Sequence, residues 1–209
     1  HMAKRYFKKK NGDVLNRKTV HAHVTDGRNY LMLTENVYDL ISIEVSSIWF
    51  AGAAALYNDE FYALAKARLK QSGVLQQWIQ LHRLSPANLV SITATLRNHF
   101  QKVWLYVVGG QGMLIGCDHD CTPDAETLDA LNTSAALKPL LALYKNGTED
   151  LLSSRLLEPS ELDRFLLGMR TAGLDATALI STDNNHLLEY ATPRANVRKY
   201  RASLKENLS

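Results

Sequence analysis

At 209 residues, 46% hydrophobic and 22% charged, the chain is long enough for one well-buried domain plus an appendage. That composition belongs to an ordinary soluble globular protein and excludes a disordered one. Its longest nearly apolar stretch, residues 48–57, is too short to span a bilayer, and no signal peptide is visible, so the chain reads as cytoplasmic. The net charge of +3 is unevenly spread, with +6 in residues 1–20, +4 in residues 194–209 and −7 in the body between. Basic ends suit nucleic acid or an anionic membrane surface, and solvated termini account for them equally well. No aromatic-basic pattern or reader motif points to nucleic acid, whereas an acidic body suits a cationic small substrate. Two cysteines, Cys117 and Cys121, are too few for a closed zinc site of four ligands and read as free thiols of an intracellular protein, so no metal is expected. The opening His1-Met2 reads as the remnant of an expression tag.

In chain order, residues 6–13 (Tyr-Phe-Lys-Lys-Lys-Asn-Gly-Asp) read as a helix end with a glycine stop. An apolar run over 20–25 predicts a strand, ending in the acidic turn Asp26-Gly27 before Arg28-Asn29-Tyr30-Leu31. A second strand is predicted over 38–45, a helix over 59–69 and a third strand over 73–79. Strands alternating with helices argue for a parallel sheet with ligands at the carboxyl ends of its strands. Ser85-Pro86 then opens a helix to about residue 100, with Ser at the N-cap and Pro in the first turn. The strands around Gly109-Gly110-Gln111-Gly112 make a hairpin, because a second strand and not a helix follows these glycines. From Asp124 the chain turns helical, with leucines at helical spacing over 124–131, 135–146 and 159–172. Residues 181–185 read as a loop, and 187–190 as a short extended piece.

Taken together, Asp26-Gly27-Arg28-Asn29-Tyr30-Leu31, Tyr38-Asp39-Leu40-Ile41, Asp59-Glu60-Phe61-Tyr62 and Leu69-Lys70-Gln71-Ser72-Gly73-Val74-Leu75 resemble the spermidine synthase (polyamine aminopropyltransferase) family. Residues 44–52, Thr182-Asp183-Asn184-Asn185 and Leu188-Glu189-Tyr190 are most similar to its bacterial branch, in which a membrane-spanning segment precedes the synthase-like domain. The resemblance implies an α/β fold: a partial Rossmann-like sheet of the class I S-adenosylmethionine-dependent transferases. It implies a sheet without its first two strands, carrying a helical C-terminal extension. Residues 3–122 would form the sheet domain and 123–209 the extension.

In the parent fold the strands lie in the order 3-2-1-4-5-7-6, which makes residues 20–25 strand 3 and residues 41–45 strand 4. With strands 1 and 2 missing, strand 4 has a bare edge. Such an edge invites a homodimer, an element swap or closure of strand 3 onto strand 4.

The resemblance also assigns a site. Asp26 and Gly27 match the family's Asp-Gly that holds the adenine of the co-substrate, decarboxylated S-adenosylmethionine or S-adenosylmethionine itself. A carboxylate accepting from an exocyclic amine is sound chemistry, and glycine allows close approach. Asp26 also suits an N-cap for the helix that follows.

The family's acidic Asp-Ser-x-Asp positions after strand 4 fall on Glu44 and Ser47. Glu44 is thereby the candidate base or ammonium anchor, while Ser47, a hydroxyl without a partner, cannot take the amine's proton unaided. Trp49 suits a cation–π wall for an amine, and Gln77 and Trp78 lie where the family binds substrate. The glycine-rich turn that completes the cofactor site has no counterpart here, so the implied activity is aminopropyl transfer to a diamine such as putrescine, inactive in this chain alone. Two other readings remain open, a methyltransferase-like domain and a non-catalytic domain for assembly or sensing.

Overall fold

The structure, a computed structural model, describes residues 6–45, 48, 52–82, 84–142, 144 and 147–190. The chain divides into two compact units, His1–Thr34 and Glu35–Ser209. Among the described residues of the first unit none is buried. It contains a 3-10 turn at Val14–Asn16 and helix α1, Gly27–Leu33. The glycine stop is present, with Gly12 at φ 59° where a left-handed backbone favours that residue.

Residues 20–25 form no strand, contrary to the pattern, and Val24 is fully exposed. A strand exists only when its N–H and C=O groups find a partner, and no other strand stands among the described residues of this unit.

The second unit is built on a five-stranded sheet in the order β1-β2-β4-β3-β5. Its strands are β1 Tyr38–Ile43, β2 Leu69–Gln80, β3 Lys102–Val108, β4 Gln111–Cys117 and β5 Arg155–Leu157. Its helices are α2 Asp59–Ala67, α3 Pro86–His99, α4 Ala125–Thr133, α5 Lys138–Leu141, α6 Thr148–Ser153 and α7 Pro159–Thr171. The fold is therefore α/β. The sequence β1-β2-β4-β3 is the 4-5-7-6 half of the implied order, and no described strand pairs with the outer edge of β1.

The sheet is mixed and not parallel: β1 and β2 run parallel through helix α2, and the remaining pairs are antiparallel. The hairpin decides this. Gly109 and Gly110 sit at φ 59° and 84°, and a two-residue turn with both backbones left-handed reverses the chain directly into β4.

From Gly73 onward β2 alternates: Gly73, Leu75, Gln77 and Ile79 are buried, while Val74, Gln76, Trp78 and Gln80 are half-buried. In register with the buried set lie Ile41 and Ile43 of β1 and Gly112, Leu114 and Gly116 of β4. Gly112 is dictated by packing, since a Cβ there would stand 2.5 Å from Ile79 Cγ1.

Helix α3 is buried on nearly all sides from Leu89 to Leu96, and its threonines return their hydroxyls to its own carbonyls, Thr93 to Leu89 and Thr95 to Ser91. Ser85 caps it through Asn88 N–H at 3.1 Å, with Pro86 at its first turn. Helix α2 adds Phe61, Tyr62 and Ala65 to the core, and α7 adds Leu162, Phe165 and Met169.

Three C-terminal expectations change. The helix expected over 135–146 is reduced to the single turn of α5, with residues 143, 145 and 146 outside the described set. Strand β5 was not visible in the sequence, because three residues are too few to show alternation. Residues 187–190 are turns and not extended, with His186 at φ 50° reversing the chain. Among the described residues no helix is long and apolar enough to cross a membrane.

Candidate functional site

Parallel strands present their carboxyl ends at the same side of a sheet, and that end is where open α/β sheets bind ligands. Here β1 ends at Ile43, with Ser42 facing Gln76 and Ile43 facing Gln77, so that Glu44 follows at the level of Trp78 while β2 runs on to Gln80. Glu44 is exposed just beyond the strand end. The Ser42 hydroxyl donates to Gln76 Oε1 and ties the two strands at this level.

Gln77 and Trp78, successive along β2, point to opposite faces. The Gln77 side chain is fully buried; its Nε2 donates to the Trp78 carbonyl at 3.4 Å, and its Oε1 has no hydrogen-bond partner. The Tyr57 hydroxyl donates to the same carbonyl at 2.9 Å. Burial pushes the Tyr57 phenol well above its ordinary value, and the Gln77 side chain only partly offsets this, so it stays a protonated donor.

Trp78 lies on the half-buried face, in one row with Met113 and Tyr106. One level on, Gln80 faces Gln111 across the strands, and the side-chain oxygens of both are buried without a partner. Gln80 Nε2 meets His82 Nε2. Near the carboxyl end of β2 the side-chain oxygens of Gln77, Gln80 and Gln111 are thus buried acceptors with unused lone pairs.

The first unit holds Asp26 and Gly27. Asp26 Oδ1 accepts from Asn29 N–H at 2.8 Å and caps α1, so the capping alternative is realised in this geometry. A Cβ at Gly27 would meet nothing within 4 Å, which leaves its backbone open to approach. Ser47 and Trp49 lie outside the described residues. The structure therefore brings Glu44 and Trp78 to one strand end, and turns Gln77 into the core beside Tyr57.

The late loop has a structural role. Asn58, before α2, donates through Nδ2 to Asp183 Oδ1 at 3.0 Å and accepts the Ser181 hydroxyl at 2.6 Å. Asp183 N–H donates to Glu60 Oε2 at 2.9 Å, and Ser181 N–H to Thr95 Oγ1 at 2.9 Å. Tyr190 is exposed, its ring edge-on to His186 at 6.0 Å.

At the opposite end of β2 lies a cleft of about 480 Å³, lined among others by Lys66, Lys70, Phe100, Asp118 and His119. Burial raises the Asp118 carboxyl, but Lys66 at 2.7 Å and the Gln101 N–H outweigh it and hold the group below the usual carboxylate range. Beside it the structure joins Cys117 and Cys121 as a disulfide, so neither is the free thiol the sequence suggested. A tight turn after β4 brings the two sulfurs together.

Against known proteins, residues 1–109 match the model of the spermine/spermidine synthase domain. Over 83 residues the chain is 34% identical to polyamine aminopropyltransferase 2 of Pseudomonas aeruginosa, covering 39% of this chain and 24% of that protein. The chain thus spans about a quarter of the length of that relative. A crystal structure of spermidine synthase in complex with the transition-state analogue AdoDATO superposes with a TM-score of 0.49 at 16% identity, over 63% of this chain and 45% of that one.

Proposed function

We infer function from membership: the chain belongs to the spermine/spermidine synthase family, whose domain matches residues 1–109, more than half of its length. We propose that it is the carboxyl-terminal part of an aminopropyltransferase of the membrane-fused bacterial branch, acting in the cytoplasm on a polyamine substrate. The observation that carries the reading is the carboxyl end of β1, where Glu44 is exposed just beyond the strand and follows at the level of Trp78 of β2.

In the reaction, a diamine nitrogen attacks the methylene carbon beside the sulfonium of decarboxylated S-adenosylmethionine. The carbon–sulfur bond breaks, methylthioadenosine leaves with the electron pair, and the new secondary amine sheds a proton. An aliphatic ammonium has a pKa of about 10, so the attacking nitrogen must be deprotonated and the distal one held. Glu44 takes the proton or anchors the distal ammonium. By the resemblance, Trp78 and Trp49 belong to the amine side of the reaction and Asp26 with Gly27 to the adenine of the co-substrate. With Ser47 in place of the second carboxylate, Glu44 is the one acidic group at the two matched positions for these tasks.

The chain on its own is proposed to be a half-site, and the free edge of β1 to pair with a second copy. Calorimetric titration with methylthioadenosine, then with decarboxylated and intact S-adenosylmethionine, tests the reading. No binding here, together with micromolar binding and turnover in an upstream-extended chain, supports it. Turnover with intact S-adenosylmethionine alone replaces it with methyl transfer, and binding without turnover in the extended chain replaces it with sensing. Light scattering that shows a monomer removes the dimer.

A further inference from the structure

The turn after β4 reads Cys117-Asp118-His119-Asp120-Cys121, placing two sulfurs and an imidazole on alternate residues. One ligand atom from each of Cys117, His119 and Cys121 lies within 4.8 Å of the others. His119 Nε2 stands 3.4 Å from Cys121 Sγ, and His119 Nδ1 is buried with no hydrogen-bond partner. In the disulfide form Cys121 Sγ can only accept, so Nε2 carries the proton towards it and Nδ1 keeps an unused lone pair; with the disulfide reduced, a shift of that proton to Nδ1 frees Nε2 to face the sulfurs.

The intervening carboxylates are engaged elsewhere and hold the turn in shape. Asp118 pairs with Lys66 at 2.7 Å and accepts from Gln101 N–H at 3.0 Å. Asp120 pairs with Lys102 at 3.4 Å and accepts from Thr122 N–H at 3.0 Å. The turn is thus pinned on both flanks while its sulfur and nitrogen donors converge.

We propose that, with the disulfide reduced, Cys117, His119 and Cys121 form a three-ligand site for zinc. Two thiolates and an imidazole are a donor set that zinc favours, and three protein ligands leave a fourth position open to water or an anion. A tetrahedral zinc with sulfur at about 2.3 Å and nitrogen at about 2.0 Å has a sulfur–nitrogen edge of about 3.5 Å. The observed 3.4 Å already matches that edge. Reduction by a thiol reductant opens the sulfur–sulfur bond to two thiols and leaves the reductant as its disulfide. Zinc then displaces one proton from each thiol.

His119 also lines the cleft beside Lys66 and Lys70, whose ammonium groups are paired with Asp118 and Asp39. This end of β4 pairs with the early part of β2, about four to six residues from Trp78 and Gln80, roughly 13–20 Å at strand spacing. The zinc site is therefore separate from the strand end proposed to bind amine.

The test is titration of the full chain with cobalt(II) as a spectroscopic stand-in and then with zinc, after anaerobic treatment with a thiol reductant. The expected result is one ion per chain, a thiolate-to-cobalt charge-transfer band, d–d bands of tetrahedral intensity, and displacement by zinc. C121S should at least halve the charge-transfer intensity, since one of the two thiolates is lost, and H119A should weaken binding at least tenfold with that band retained. Because Cys117 is fully buried and its variant can fail to fold, C121S and H119A decide the test, with circular dichroism confirming that both are folded. No cobalt band in the reduced wild type, a band unchanged in C121S, or a disulfide that resists reduction in the folded protein overturns the proposal.

Discussion

The two units of this chain obey the same local rules and reach opposite outcomes. In Glu35–Ser209 the apolar runs over 38–43 and 69–80 became strands because each met a partner in register, and their alternate residues closed a core. In His1–Thr34 the alternating run over 20–25 has no strand partner among the described residues and no strand structure, with Val24 left in water. A β-pattern states what a segment can do, whereas a helix cap such as Asp26 acts within one turn and needs nothing distant.

That contrast can be broken by mutation. The largest effect is expected for Leu105→Ala, which opens a cavity at a side chain 1% exposed in the middle of the sheet and should cost about 2–5 kcal/mol in urea unfolding. A loss below about 1 kcal/mol would mean that the sheet does not carry the stability of the second unit. Next, Asn58→Ala leaves the buried Ser181 hydroxyl without its acceptor and should cost about 1–3 kcal/mol, while loosening residues 181–190 in hydrogen exchange.

Asp26→Ala removes the α1 cap and should weaken that helix by about 1 kcal/mol, visible as faster exchange over residues 27–33. The main unfolding transition should not move. Val24→Ala should change stability by less than about 0.5 kcal/mol, as befits an exposed side chain outside any strand. A larger loss would show that residues 20–25 do pair with something in solution.

The sequence named residues for a candidate site, and the strand register decides which of them share a level and a face. Glu44 was matched by the resemblance and Trp78 falls where the family often has a glutamine; the strand register sets the two at one level. Gln77 is one residue from Trp78, but the two-residue period of a strand turns it into the core, which adjacency in sequence conceals. Gln111 was overlooked because it lies far along the chain from Gln80, its neighbour only across the hairpin. For the zinc ligands a signal did exist, the Cys-x-His-x-Cys spacing of residues 117–121; counting cysteines alone passed over His119.

What acts over short range is already written in the chain. The Ser85-Pro86 helix start, the Gly109-Gly110 reversal and the α/β alternation of the second unit follow from caps, left-handed glycines and apolar period, each complete within a few residues. Only the assembled fold settles which apolar runs become strands, that the sheet is mixed, that Arg155–Leu157 joins its edge, and that Cys117, His119 and Cys121 meet. The reason is that pairing, register and burial are properties of two segments at once. No single segment encodes the position of the other.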